Sequence, residues 1–479
     1  MINIRPILLV IGVLLATLGV AMMIPAFFDL ASGNPDWVVF VFSSIITIFV
    51  GVGLAIATSG GGKDLSIREA FILTSFSWLS LAAFGAIPFA ISSLEMTWAD
   101  AFFESMSGLT TTGATVLTKL DDAPRGILIW RALLQWLGGI GIIVMAMAVL
   151  PMLQIGGMQL FRTEGFDTSE KILPRATQIS GSLTGIYLFF TLVCFIGYSL
   201  AGMGLFDAAV HSMTTIATGG YSSHDLSIGY FNSLAVEVNC MIFMVIGSIP
   251  FLLYIKGGLR PLLVDQQVRG FLVALAVFIF ILSFQQSWVN GMDFGTALRY
   301  SSFNIISIMT GTGYASIDYT LWGAFASSVM FFVMFVGGCS GSTSCGIKIF
   351  RFQIIIAAIE YRVKTLIYPS GMFSAHYNNR PIPAQVTTSV MSFLFLFVVS
   401  FFTLSLLLEL MGLDAVTAMS AAGSALANVG PGLGKIVGPA GHYGTLPEMA
   451  KWLLSFAMLL GRLELFAVLV LFTPYFWRN

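Results

Sequence analysis

Nine of the charge-free runs in this chain are strongly apolar and about as long as the roughly 20 residues an α-helix needs to cross a hydrocarbon layer. They lie between Arg5 and Asp29, Asp36 and Lys63, Glu69 and Glu95, Arg131 and Arg162, and Arg175 and Asp207. The rest lie between Glu237 and Lys256, Arg269 and Asp293, Asp318 and Lys348, and Arg380 and Glu409. A tenth apolar stretch, residues 450–475, carries Arg462 and Glu464 inside it. Only 9% of the residues are charged, against about 25% in a soluble domain, so the chain is read as an integral membrane protein. The first run is long and has no small-residue cleavage site close behind it, so it is expected to persist as a span. Ten crossings place both termini on one side.

With the amino terminus taken as cytoplasmic, fifteen of the 22 lysines and arginines fall on cytoplasmic ends and loops, and Arg462 falls within the membrane. That bias supports the orientation. Thirteen of the 23 acidic residues then face outward; they either form a vestibule that concentrates cations or are ordinary loop charges and helix caps. A net charge of −1 without a basic patch argues against nucleic-acid binding. Cys194, Cys240, Cys339 and Cys345 form no CxxC pair, and His211, His224, His376 and His442 are scattered, which indicates neither a zinc site nor a disulfide framework. No catalytic constellation stands out, and the chain is read as a non-enzyme.

After the first two spans, one pattern recurs four times on the outer side: an Asp opens a helix-length stretch that ends in a turn rich in Thr, Ser and Gly. The copies are DAFFESMSGLTTTGAT from Asp100, DAAVHSMTTIATGGYS from Asp207, DFGTALRYSSFNIISIMTGTGYAS from Asp293 and DAVTAMSAAGSALANVGPG from Asp414. Each is flanked by a span on either side, so the repeating unit is span, half-helix, extended turn, span. Non-helical backbone at membrane depth persists only where protein buries it or where it lines a watery cavity; four such turns imply a shared axial cavity. Asp at a helix start caps free N–H groups and suits the positive end of the dipole, leaving the negative end toward the turn, where a cation is stabilised. Glycine lets carbonyls face the axis, and rings of backbone carbonyls are how potassium-selective pores replace an ion's hydration shell.

The turn endings TTTGA, ATGGY, TGTGY and NVGPG resemble the degenerate selectivity filters of the Trk/Ktr/HKT superfamily of potassium transporters. The two leading spans, IATGGYSSHDLSIGYFNS, GGCSGSTSCGIKIFRFQ, ALANVGPGLG and LLGRLELFAVLVLFTP extend the resemblance over nearly the whole chain, to the membrane subunits of bacterial Trk potassium uptake systems. The resemblance implies an all-α membrane protein with about ten transmembrane helices and four re-entrant pore half-helices, set as pseudo-fourfold repeats around one pore. It divides the chain into two leading spans (1–64) and four pore repeats (65–160, 161–258, 259–367 and 368–479). The potassium-binding filter would comprise Thr111, Thr112 and Gly113; Thr218, Gly219 and Gly220; Gly311, Thr312 and Gly313; and Asn428, Val429 and Gly430. Only one glycine position is common to all four turns, so a less uniform filter than that of a four-chain channel is expected. In the plant branch, Ser at the first-repeat glycine accompanies sodium permeation, and Gly113 therefore favours potassium.

The segment FVGGCSGSTSCGIKIFR interrupts the eighth apolar run. Its glycines superficially match a phosphate-binding loop, but that motif needs Lys directly after the second glycine and then Ser or Thr; Ile347 precedes Lys348 here and Ile349 follows it. The resemblance instead implies an intramembrane gating loop at 337–347 beneath the filter. Its residues are Gly337, Gly338, Gly341, Ser342, Thr343, Ser344, Cys345 and Gly346, with Lys348 beside it and Arg462 as a fixed positive charge. The competing readings are a kink that eases packing and, for Arg462, an ion pair with a buried acid such as Glu409. Gly138–Gly141, inside a span, is read as a close helix contact. Relatives usually have more glycine where this chain has Ser344 and Cys345.

The expected function is potassium uptake across the bacterial inner membrane, driven by the membrane potential. The alternatives are a proton- or sodium-coupled potassium symporter, a less selective sodium/potassium transporter, and an intramembrane enzyme or sensor. The resemblance further implies a homodimer in the lipid bilayer, no cofactor in this chain, and control by a cytoplasmic TrkA-type ring that carries the nucleotide. The stretches 161–175, 256–269 and 348–380, which mix Arg and Lys with acids, are where that ring would dock; without the resemblance they read equally well as solvated loops.

Overall fold

The structure, a computed structural model, describes residues 2–60, 66–148, 176–258, 260–378 and 380–478. The segment boundaries at 64/65 and 160/161 and the candidate docking stretch 161–175 lie outside the described residues. Among these residues, seven helices are long and apolar enough to cross a membrane: Ile4–Ser32, Trp37–Ala57, Ile67–Ile91, Arg125–Met145, Ser180–Leu200, Gln266–Val289 and Ala384–Leu410.

The other three of the ten runs are interrupted, and each follows one of the last three turns. The sixth stops after Leu234–Gly247 and restarts as Phe251–Lys256; Pro250 lies between, with no N–H to donate to a continuing helix. The eighth stops after Ala324–Met334 and resumes as Ile349–Ile367. The tenth bends by 109° between Glu448–Arg462 and Phe466–Phe472, where Glu464 and Leu465 take left-handed φ of 61° and 52°. An apolar run records that a segment lies in the membrane, not that it crosses as one helix.

The four half-helices are Trp98–Leu109, Leu205–Ile216, Phe294–Met309 and Ala415–Ala427. The first two have 12 residues each, little more than half of the roughly 20 that a helix needs to span. Asp293 and Asp414 are N-caps, accepting from the backbone N–H of Thr296 and Thr417. The Asp of the first two copies sits inside the first turn instead: Thr97 caps one helix and Gly204 precedes the other. Its charge still favours the positive end of the dipole.

The half-helices are largely buried, whereas the outer helices present Phe49, Leu200, Trp288 and Leu410 outward, as a lipid-facing surface would. Gly138 packs so closely that a Cβ there would stand 1.8 Å from the Leu109 carbonyl oxygen. The contact expected of Gly138–Gly141 therefore joins the fourth long helix to the end of the first half-helix. Strand structure among the described residues is confined to two pairings of two residues each, Val336–Gly337 parallel to Ile347–Lys348 and His376–Tyr377 antiparallel to Arg380–Pro381.

Candidate ion pathway

Each half-helix ends in the same hydrogen-bonded turn. Thr111, Thr218, Gly311 and Asn428 are left-handed, with φ of 52°, 49°, 74° and 51°. The next residue's N–H reaches back five positions: Thr112 to Ser107, Gly219 to Thr214, Thr312 to Ser307 and Val429 to Ser424, at 2.9, 2.9, 2.9 and 3.0 Å. This is a Schellman-type ending. Three of the four left-handed positions are not glycine, which costs each of them about 1–2 kcal/mol. The glycines that follow, Gly113, Gly220, Gly313 and Gly430, are left-handed again, at 85°, 77°, 81° and 105°.

These glycines define a closed ring. A Cβ on Gly113 would stand 2.2 Å from the Gly219 carbonyl oxygen, one on Gly220 1.8 Å from that of Thr312, one on Gly313 2.0 Å from that of Val429, and one on Gly430 2.6 Å from that of Thr112. Every turn thus presses its glycine against the carbonyl that precedes the glycine of the next, from the first repeat through the fourth and back. The twelve residues expected at the filter come together here, three from each turn.

Side chains hold neighbouring turns to one another. Arg131 Nε donates to Glu104 Oε1 at 2.8 Å, Nη1 to the Ser222 carbonyl at 2.9 Å and Nη2 to Thr115 Oγ1 at 3.2 Å. Its guanidinium lies 4.0 Å from the Tyr221 ring, and both charges are almost wholly buried. Glu104 also accepts from the Val116 N–H at 2.9 Å. Between the second and third repeats, Glu237 takes both N–H groups of Arg299 at 2.7 and 2.8 Å. Between the fourth and the first, Lys451 pairs with Asp100, and Asn428 Nδ2 donates to Thr112 Oγ1 at 2.9 Å. Glu104, Arg131, Glu237 and Arg299 did not stand out as site residues, because partners so far apart in sequence leave no spacing signal.

The ring separates two cavities. The outer one is lined by all four ring glycines together with Arg131, His224, Asp225 and Tyr443. The inner one is lined by Asn428, Gly461, Arg462, Glu464, Lys348 and residues of the Gly337–Ile347 loop. The loop contacts the undersides of three turns: Cys345 Sγ lies 3.6 Å from Thr111 Oγ1, Thr218 Oγ1 donates to Thr343 Oγ1 at 3.2 Å, and the Cys345 N lies 3.2 Å from where a Cβ on Gly311 would be. Arg462, 4% exposed, donates from Nη1 to the Thr343 carbonyl at 3.2 Å and to Cys345 Sγ at 2.5 Å. Its Nε and Nη2 have no partner among the described residues.

Arg462 therefore sits on the loop, not on Glu409, which is exposed. Glu464 instead pairs with Arg351. The Lys348 ammonium folds back onto the Ser344 carbonyl. With Glu464 paired, Arg462 and Lys348 leave the inner cavity positive, opposing entry of a cation. Gly341 and Gly346 take φ of 76° and 74°, which lets the loop double back within the width of one helix break. Ser342 is tied to its own loop, donating to the Cys339 carbonyl at 2.6 Å.

Comparison with known proteins agrees with this architecture. Residues 38–478 match the model of the TrkH family, described as a cation transport protein. The chain is 43% identical over 478 residues to the Trk system potassium uptake protein TrkI of Halomonas elongata, covering 99% of this chain and 97% of that one. It is 39% identical to TrkH of the same organism, with full coverage of both. The crystal structure of the potassium transporter TrkH from Vibrio parahaemolyticus superposes with a TM-score of 0.92 at 34% identity over the whole of both chains. From the fourfold turns and from these full-length matches, the chain belongs to the TrkH family of cation transport proteins.

Proposed function

We propose that this protein is the membrane subunit of a potassium uptake system, and that ions cross it through the ring formed by the four turns. The observation that carries the reading is the closed succession of glycine against carbonyl: a chain folded for packing alone has no reason to place four strained turns head to tail around one axis. The carbonyls of Thr112, Gly219, Thr312 and Val429 replace water around a dehydrated potassium ion, and the negative ends of the half-helices add to the field there. The half-helices are re-entrant, and the division into two leading spans and four pore repeats follows. The Gly337–Ile347 loop with Arg462 and Lys348 is the closed gate.

The excess of Lys and Arg on one side supports cytoplasmic termini and a place in the bacterial inner membrane. The relatives are named as parts of Trk systems, which supports a further reading: a homodimer opened by a cytoplasmic TrkA-type nucleotide-binding ring, with this chain holding no cofactor of its own. The test is potassium uptake in bacteria stripped of their own uptake systems, with the regulatory partner supplied, comparing wild type and Gly113→Ser. Potassium-selective uptake that loses selectivity in the variant is expected. No uptake, or selectivity unchanged in Gly113→Ser, would refute the filter assignment.

A further inference from the structure

The four-turn ring has one irregular member. Where the first, third and fourth turns carry Thr112, Thr312 and Val429, the second carries a second glycine, Gly219, in the sequence ATGGY. The space that a side chain there would fill belongs to Gln135: a Cβ on Gly219 would lie 2.4 Å from the Gln135 Cδ and Oε1. Gln135 is wholly buried on the helix Arg125–Ala148, one turn beyond Arg131 and on the same face. Its Nε2 donates to the Gly219 carbonyl oxygen at 2.5 Å, and its Oε1 accepts from the Tyr221 N–H at 3.1 Å. Both ends of the amide are thus spent on the backbone that brackets Gly220. Among the described residues, no side chain donates to the carbonyls of Thr112, Thr312 or Val429.

The Gly219 oxygen is also the one that faces Gly113 across the ring. It therefore serves two partners, a permanent amide donor behind it and the ion in front. From this we infer that Gln135 is a positioning residue for selectivity: it holds the second-repeat carbonyl in place and draws off part of its field, so that one quarter of the ring is fixed and weak. A small, strongly hydrated cation needs close, strong oxygens to repay its dehydration, whereas a larger one is satisfied at longer range. A tethered carbonyl cannot move in toward sodium. The inference rests on the ring being the filter.

The experiment uses the full chain in proteoliposomes, with potassium and sodium uptake measured on the same preparations of wild type, Gln135→Leu, Gln135→Glu and Gly113→Ser. Gln135→Leu removes the donor at similar volume, and the potassium-to-sodium ratio is expected to fall roughly threefold to tenfold, the equilibrium equivalent of one neutral hydrogen bond. Gln135→Glu gives a sharper signature. An ionised carboxylate only accepts, whereas the protonated acid donates from one oxygen and accepts with the other. Burial against the Gly219 carbonyl favours the protonated acid, so selectivity should stay near that of wild type in acidic medium and fall as the medium is made alkaline. A residue that merely supports packing would lower uptake of both ions in parallel, at every pH. Parallel loss in Gln135→Leu, or a pH-independent ratio in Gln135→Glu, overturns the role of Gln135 where Gly113→Ser still changes the ratio. If Gly113→Ser leaves it unchanged as well, the filter reading falls with it.

Discussion

Replacing the ring glycines one at a time by alanine should damage transport in a graded order that the geometry sets. All four have positive φ, so the cost of placing an L-residue in a left-handed conformation, about 1–2 kcal/mol, is common to the series and largely cancels. What differs is the room. A Cβ needs about 3.0 Å from its nearest neighbour, and the carbonyl oxygen facing it stands at 1.8 Å for Gly220, 2.0 Å for Gly313, 2.2 Å for Gly113 and 2.6 Å for Gly430. An alanine at 220 must therefore push the Thr312 oxygen back by more than an ångström, while one at 430 must move the Thr112 oxygen by only a few tenths of one. At Gly313 the Pro431 Cδ stands 2.8 Å from the same point and adds a second obstruction. An ion site made of carbonyls is sensitive to shifts of this size, because the oxygens must match the ion's radius after it sheds water.

The expected order of potassium uptake is Gly430→Ala above Gly113→Ala, then Gly313→Ala, with Gly220→Ala lowest. The assay is initial-rate uptake normalised to the amount of folded protein in the membrane. If Gly430→Ala is as damaging as Gly220→Ala, the close approaches do not govern ion passage and the ring reasoning fails.

Three further expectations concern the surroundings of the ring. Arg462→Ala removes the charge on the loop and should raise ion flux in the absence of the activating partner, as should deletion of residues 341–345; a leak no larger than that of wild type would count against the gate. Glu104→Ala strands the buried Arg131 and should destabilise the protein by about 3–5 kcal/mol, with the double variant Glu104→Ala, Arg131→Met partly restored; thermal unfolding in detergent checks the non-additivity. In the outer loop, burial lowers the pKa of His224, but the carboxylates of Asp207, 3.5 Å from Nε2, and of Asp121, hydrogen-bonded to Nδ1, outweigh this and raise it. A raised pKa means that the His224 link is complete below the ordinary histidine value of about 6.5 and is lost as pH rises through the shifted one. Thermal stability should therefore fall across that window in wild type and not in His224→Gln, and parallel curves would refute the link.

The repeating turns were legible in the sequence because each carries its own punctuation: an Asp, a half-helix length of apolar residues and a glycine at one shared position. The left-handed Thr111, Thr218 and Asn428 were not, since nothing in a Thr or Asn announces that its neighbours will force it there. Nor were the partners of Glu104, Arg131 and Gln135, whose meaning depends on residues about 10 to over 90 positions away. The breaks in the last three second spans leave unequal marks: glycine and serine crowd together at the third, whereas only Gly247, Ser248 and Pro250 mark the second and the charges of Arg462 and Glu464 the fourth. So few residues inside an apolar run do not by themselves fix where the helix stops.

Those breaks belong together. A helix that stops at membrane depth leaves carbonyls that must find donors, and a glycine-rich loop has N–H groups in the same predicament. The Gly337–Ile347 loop and the break after Gly247 satisfy each other: Cys339 N–H donates to the Ser248 carbonyl, Thr343 N–H to that of Gly247, and Phe251 N–H to that of Gly341, at 3.0, 3.1 and 3.0 Å. The bend after Arg462 then brings the guanidinium onto the same loop. The glycine- and serine-rich segment is a joint shared by the cut ends of three helices. On the proposed reading of the loop as a gate, moving it aside requires those bonds to be exchanged for others, so the loop and the short helix Phe251–Lys256 beside it would move in concert.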